Sequence, residues 1–178
     1  MIENSTKIHQ KKAEPWQVTL VDTGEETMTG GRLKRVSSYL GEDTFCLTYG
    51  DGLSNIDISK LISHHKLNRR LATVSAIQPP GRFGALTINS NIVKNFKEKP
   101  DGDGLWINGG VFVLEPKVID YIEDDRTVWE QLPLQNLAED DQLTAYRHNG
   151  FWHAMDTLRD KTYLEDCWSS GGAPWKTW

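Results

Sequence analysis

Cysteine is scarce in this chain of 178 residues, with only Cys46 and Cys167 present. Two distant cysteines exclude a disulfide framework, and no Cys/His spacing suits a zinc site. Cys46 falls inside an apolar run, where a small buried thiol is expected. Excess positive charge is also missing. The 20 Lys and Arg are outnumbered by 25 Asp and Glu, giving a formal net charge of −5. No basic footprint for nucleic acid results, so no nucleic-acid partner is expected. No stretch approaches the ~18 apolar residues of a membrane span. The opening "MIENSTKIHQKKAEPW" has no signal-peptide core, so a cytoplasmic chain without a membrane partner is expected. Dinucleotide-fingerprint and P-loop spacings are absent as well.

What remains is an ordinary globular composition, 38% hydrophobic and 25% charged, long enough for one sizeable core. Residues 1–14 are polar and aperiodic and are expected to be loose. Residues 15–178 read as one domain. Strands are predicted over 16–24, 44–52, 71–77 and 107–114, with two short extended pieces around Asn89–Asn91 and another pair around Asn149-Gly150. Helices are predicted over 27–40, 57–70, 116–124, 127–141 (interrupted at Pro133) and 157–172. Alternating strands and helices argue for an α/β domain with a largely parallel sheet, and ligands gather at the carboxyl ends of such strands.

Asp51 sits at one such end. In "FCLTYGDGLSNID" the run Phe45, Cys46, Leu47 and Tyr49 reads as a buried strand, and Gly50 and Gly52 are expected to turn the chain sharply around the carboxylate. Asp156 has a similar setting in "GFWHAMDT". Alternation puts Trp152, Ala154 and Asp156 on one face and His153 on the other. Its plainer role is as N-cap of the helix beginning near Thr157. Two carboxylates at strand ends suit Mg²⁺, a hard ion that takes a few carboxylate oxygens together with substrate phosphates.

Other groups could meet an anionic ligand. "TGGR" (29–32) places backbone N–H groups and Arg32 at a helix start, where they could face a phosphate or a base edge; a plain turn explains it equally well. In "FKEKP" Glu98 could accept sugar hydroxyls while Lys99 meets a phosphate, although a solvated strand end is the simpler reading. The paired glycines of "INGGVF" mark close approach of a ligand or another backbone. Of His64 and His65, one is expected to face solvent and the other the core.

Taken in order, "EPWQVTLVDTG", "MTGGRLKRV", "TYGDG", "PPGRFGAL", "FKEKP", "INGGVFVL", "FWHAMDTLRDK" and "APWKTW" resemble the sugar-1-phosphate nucleotidylyltransferase family, from about His9 to Trp178. Within it they are most similar to the branch that joins CTP and glucose 1-phosphate to give CDP-glucose and pyrophosphate. The resemblance implies a Rossmann-like α/β fold with a mixed, mostly parallel sheet. It also implies Mg²⁺ dependence, a place in deoxysugar, O-antigen and lipopolysaccharide synthesis, and a homo-oligomer in the full-length family. By position, Asp51 and Asp156 match the metal ligands and, with Lys99, the catalytic set. Thr27, Gly30, Arg32 and Gly50 match nucleotide-binding positions. Glu98 and Lys99 match sugar and phosphate contacts, and Asn108 and Gly109 lie where the family lines its sugar pocket.

One part of that pattern is missing. Family members begin with a strand and a G-G-x-G-T-R loop that wraps the triphosphate, whereas this sequence starts about a third of the way along. An N-terminally truncated domain with open sheet edges is therefore expected. Two readings stand: a nucleotidylyltransferase, or a non-catalytic sugar-phosphate-binding or assembly module of that family.

Overall fold

The computed structural model describes residues 16–79, 85–98 and 105–177. The expected loose segment 1–14 lies outside them, as does Lys99.

Helix α1 (Thr29–Val36) starts with its two glycines already helical and ends with Lys34 and Arg35, whose charges suit the negative end of the helix dipole. Strands β1 (Phe45–Thr48) and β2 (Gly52–Ser54) follow. Asp57 caps α2 (Ile58–Asn68) by accepting from the Lys60 amide, and Arg69 closes that helix in the left-handed region at φ 52°. Then come β3 (Ala72–Ile77), the hairpin of β4 (Ala85–Asn89) and β5 (Ile92–Lys97), and β6 (Ile107–Leu114). The hairpin turns on Ser90 and Asn91 at φ 46° and 67°, as a two-residue turn with primed geometry requires. A 3-10 segment over Pro116–Tyr121, α3 (Leu132–Glu139), β7 (Leu143–His148), β8 (Trp152–Ala154) and α4 (Leu158–Ser169) complete the described chain.

The central sheet has the order β1-β6-β3-β7. Strands β1, β3 and β7 run one way, and β6 runs against them between β1 and β3. The sheet is thus mixed, as expected, with three of its four strands in one direction. Its pairings are less parallel than anticipated, because the reversed β6 makes two of the three antiparallel. Side chains of β6 alternate between two cores. Phe112 and Leu114 join Leu33, Val118, Ile122, Trp129 and Leu137 on one face. Val113 joins Ile56 and Leu61, under α2, on the other. This is an α/β/α sandwich.

Several expectations need correction. Residues 16–24 form no strand. Their alternating Trp16, Val18 and Leu20 are 76%, 69% and 89% exposed, because no described strand pairs with the segment. Strand β1 is an edge strand among the described residues. Cys46 is exposed rather than buried, since strand alternation sends Phe45 and Leu47 inward instead. Pro133 does not interrupt a helix but stands in the first turn of α3, where its missing N–H costs nothing. The two extended segments expected around Asn149-Gly150 are present as β7, which pairs with β3, and β8, which pairs with β2.

His65 is the buried one of its pair, held between Thr73 Oγ1 at 2.8 Å and Glu115 Oε1 at 3.0 Å. His64 is not solvated as expected; it is half-buried with its ring edge-on to Tyr146 at 5.5 Å. Among the described residues, no helix is long and apolar enough to cross a membrane.

Candidate active site

The pairing of β2 with β8 builds the site. Gly52 lies opposite Ala154, and one step further along the ladder the Met155 amide donates to the Asp51 carbonyl at 2.8 Å. Asp51 therefore lies across from Met155, the residue before Asp156, at adjacent strand ends, and both aspartates are exposed. Asp156 is not the cap of α4. That work falls to Thr157, which accepts from the Asp160 amide at 3.2 Å while Asp160 Oδ2 accepts from the Thr157 amide at 2.9 Å. This capping box leaves the Asp156 carboxylate free of the helix end. His153 turns to the other face, as alternation requires, and meets Asp160 Oδ1 at 3.1 Å. The Thr157 hydroxyl above all, helped by the Thr157 amide and by His153, holds the Asp160 carboxyl below the usual aspartate range despite partial burial.

Neither Asp51 nor Asp156 has a cationic partner among the described residues. No third His, Cys, Asp or Glu joins them there. Two exposed carboxylates with the remaining positions open are the donor set of a hard divalent cation that also takes phosphate oxygens. Gly50 and Gly52 do not serve as expected. Neither has a positive φ, and a Cβ at Gly50 would meet nothing within 4 Å. The protein's own backbone does not require these glycines, and Gly50 leaves open space beside Asp51.

At the turn of residues 27–31 the glycines pack rather than point outward. The amides of Gly30 and Gly31 both donate to the Thr127 carbonyl, at 2.9 and 3.2 Å, and the Met28 amide donates to the Asp125 carbonyl at 2.8 Å. Cβ atoms added at Gly30 and Gly31 would sit 2.7 Å from Thr127 O and 2.5 Å from Asp125 O. The outward-facing N–H groups anticipated at Gly30 are thus taken by the 125–127 loop, because only glycine lets the two backbones come this close. Thr27 is buried nearby. Arg32 is exposed and braced, donating to Thr23 Oγ1 at 2.6 Å and to the Glu25 carbonyl at 3.0 Å.

Of the residues expected to line a sugar pocket, Asn108 is exposed and its Oδ1 accepts from the Gly110 amide at 2.8 Å. Gly109 is buried, and the close approach it permits is to β3: an added Cβ would lie 2.7 Å from Ser75 Oγ. Its carbonyl accepts from Trp152 Nε1 at 2.8 Å, tying β6 to the strand that leads to Asp156. Glu98 is exposed at the end of β5; Lys99 lies outside the described residues.

One residue was not anticipated from the sequence. Glu130 accepts from Thr29 Oγ1 at 2.7 Å and from the Tyr49 hydroxyl at 2.5 Å. Its only cue is a lone acid between Trp129 and Gln131, with nothing in the spacing to mark it.

The family model for nucleotidyl transferases matches residues 4–159. The whole chain is 57% identical to the glucose-1-phosphate cytidylyltransferase of Salmonella typhimurium, covering 70% of that protein. The chain belongs to the nucleotidyl transferase family. A Bacillus subtilis protein named for the same activity is 44% identical over 99% of the chain, which again covers 70% of the relative. Among solved structures, apo UDP-glucose pyrophosphorylase superposes with a TM-score of 0.62 at 13% identity, over 85% of this chain and 63% of that one. HddC from Yersinia pseudotuberculosis gives 0.58 at 23% identity, over 82% and 64%. These two share the fold. This chain thus spans 70% of the curated relatives' length and under two thirds of these solved chains.

Proposed function

We propose that this protein is a nucleotidylyltransferase that joins CTP and glucose 1-phosphate to form CDP-glucose, releasing pyrophosphate. The observation that carries the reading is the β2–β8 ladder, which sets the backbone of Asp51 across from Met155, next to Asp156, with neither aspartate in an ion pair among the described residues. Ligands of α/β domains gather at such strand ends. The 57% identity to a glucose-1-phosphate cytidylyltransferase supports the choice of substrates.

In this reading Asp51 and Asp156 hold Mg²⁺. Bound there, the ion would supply charge that draws the two phosphates together and offsets their repulsion. The side chains do the rest by placement. Thr27, Gly30, Arg32 and Gly50 receive the nucleotide: Gly50 by leaving room beside Asp51, Gly30 by letting the turn pack on the 125–127 loop, and Arg32 by its charge. Glu98 accepts sugar hydroxyls, Lys99 holds the attacking phosphate, and Asn108 and Gly109 line the sugar pocket. The sugar phosphate oxygen forms a bond to the α-phosphorus of CTP as the bond to pyrophosphate breaks. No side-chain nucleophile takes part, so positioning and electrostatics account for the rate. The product would feed deoxysugar synthesis for O-antigen and lipopolysaccharide in the cytoplasm, with the protein acting as a homo-oligomer.

Pyrophosphate release by the purified chain with Mg²⁺, CTP and glucose 1-phosphate tests this. Release that Asp51→Asn abolishes without unfolding supports it. No release from a folded wild-type chain favours the second reading, a non-catalytic sugar-phosphate-binding or assembly module of the family.

A further inference from the structure

Among the stretches that carry groups assigned to nucleotide, metal and sugar, those around 27–32, 50–51 and 108–109 are connected through a single carboxylate. Glu130 sits half-buried just after the Thr127 turn. Its Oε2 takes the Thr29 hydroxyl at 2.7 Å, and its Oε1 takes the Tyr49 hydroxyl at 2.5 Å. Thr29 begins α1 immediately beyond Thr27 and Met28, and its Oγ1 also accepts from the Trp129 amide at 2.9 Å. Tyr49 is two residues before Asp51. Its amide donates to the Gly110 carbonyl at 3.2 Å, and its hydroxyl accepts from Asn108 Nδ2 at 3.4 Å. Gly110 is held at φ 77°, where an added Cβ would lie 2.9 Å from the Tyr49 ring.

The chain of contacts runs Trp129–Thr29–Glu130–Tyr49–Asn108–Gly110, and each link is polar and directional. Both hydroxyls spend their single proton on the carboxylate, which is the arrangement that an ionised acid selects. Burial first, and then the bond to Glu130, push the Tyr49 hydroxyl well above the usual tyrosine range.

From this geometry we infer that Glu130 is a positioning residue, locking the 27–31 turn, the Asp51 turn and Asn108 into one fixed arrangement. Its consequence for turnover rests on the nucleotidylyltransferase reading; its mechanical part does not. Glu130 commits its two carboxylate oxygens to Thr29 and Tyr49. It acts through Thr29 and Tyr49, so its loss should misplace groups rather than remove them. A misplacement near 1 Å is enough to cost much of the rate in a reaction driven by positioning.

The test compares the wild-type chain with Glu130→Ala, Glu130→Gln and Tyr49→Phe. Amide hydrogen exchange reads the mechanical part without any substrate. Glu130→Ala should speed exchange at least tenfold at both Trp129 and Gly110, the amides at the two ends of the network. Glu130→Gln, which keeps the shape and one acceptor oxygen, should recover much of that protection. Tyr49→Phe should loosen Gly110 and leave Trp129 unchanged. With Mg²⁺, CTP and glucose 1-phosphate, Glu130→Ala should lower kcat about 10- to 100-fold, the scale of one hydrogen bond to a charged acceptor. The KM for glucose 1-phosphate should move less than threefold.

Unchanged exchange at both amides in a folded Glu130→Ala chain would overturn the inference, as would unchanged kcat in an active enzyme. Absence of turnover in the wild type would count against the proposed reaction alone, with the exchange data still deciding the role of Glu130.

Discussion

The amide of Met155 donates to the carbonyl of Asp51 at 2.8 Å, and that bond sets Met155, the residue before Asp156, across from Asp51 at two strand ends. The residues are more than a hundred positions apart in sequence, and their meeting depends on the short β2–β8 ladder. Asp51→Asn and Asp156→Asn should each weaken Mg²⁺ uptake at least tenfold in the presence of CTP, because each removes one anionic ligand. Both carboxylates are exposed and lack described partners, so thermal midpoints should stay within about 2 °C of wild type, as for surface substitutions generally. Calorimetric titration and a thermal melt check the two halves. Unaltered metal uptake in both variants would remove the assignment.

The capping box of α4 predicts a stability effect next to the site. Thr157→Ala removes the hydroxyl that accepts from the Asp160 amide and should cost about 1 kcal/mol. Chemical denaturation would show it as a lower midpoint with an unchanged slope.

Gly31 predicts a larger one. A Cβ there would stand 2.5 Å from the Asp125 carbonyl and 2.6 Å from its Cα, and backbone cannot swing aside as a side-chain end can. Gly31→Ala should destabilise the chain by about 1–3 kcal/mol through overpacking. It should also disturb nucleotide binding, since the same turn carries Thr27 and Arg32. Gly50→Ala is the control. No atom lies within 4 Å of its Cβ, so its stability should hold while CTP affinity falls.

Acid should unfold the protein. Hydrogen bonds from Thr157, and then from His153, hold Asp160 below its ordinary value of 3.8. Arg35, by hydrogen bond and then by charge, does the same for Asp125. For Glu115, burial pushes the value upward, but the bonds from Thr44 and His65 outweigh it and hold the group below 4.5. Each of these groups binds a proton less readily when folded than when unfolded. Their stabilisation is fully present above the unfolded values and is lost as pH falls through the depressed folded ones. The urea midpoint should therefore be flat from pH 7 to about pH 5 and drop below about pH 4. A midpoint that rises on acidification would contradict these assignments.

Local pattern made β1, α2, β3, β6 and the β4–β5 hairpin readable, because each carries its own periodicity and its own stop signal. It also put His153 and Asp156 on opposite faces of β8. It misjudged segment 16–24, whose Trp16, Val18 and Leu20 alternate like a strand but have no described strand to pair with. Composition could not reveal that lack. It misplaced Cys46 by treating an apolar run as wholly buried when only alternate residues turn inward. The glycines at Gly30 and Gly31 were visible as special; their purpose was not, since the 125–127 loop they receive lies nearly a hundred residues away. Glu130 was invisible for the same reason. Its importance comes from two hydroxyls that the fold delivers, and no local spacing records them.

The most direct measurement is pyrophosphate release by the 178-residue chain supplied with Mg²⁺, CTP and glucose 1-phosphate, against the same reaction with Asp51→Asn. The account predicts release by the wild type that requires both substrates and the metal, and none by the variant. Equal release by a folded Asp51→Asn chain would contradict it.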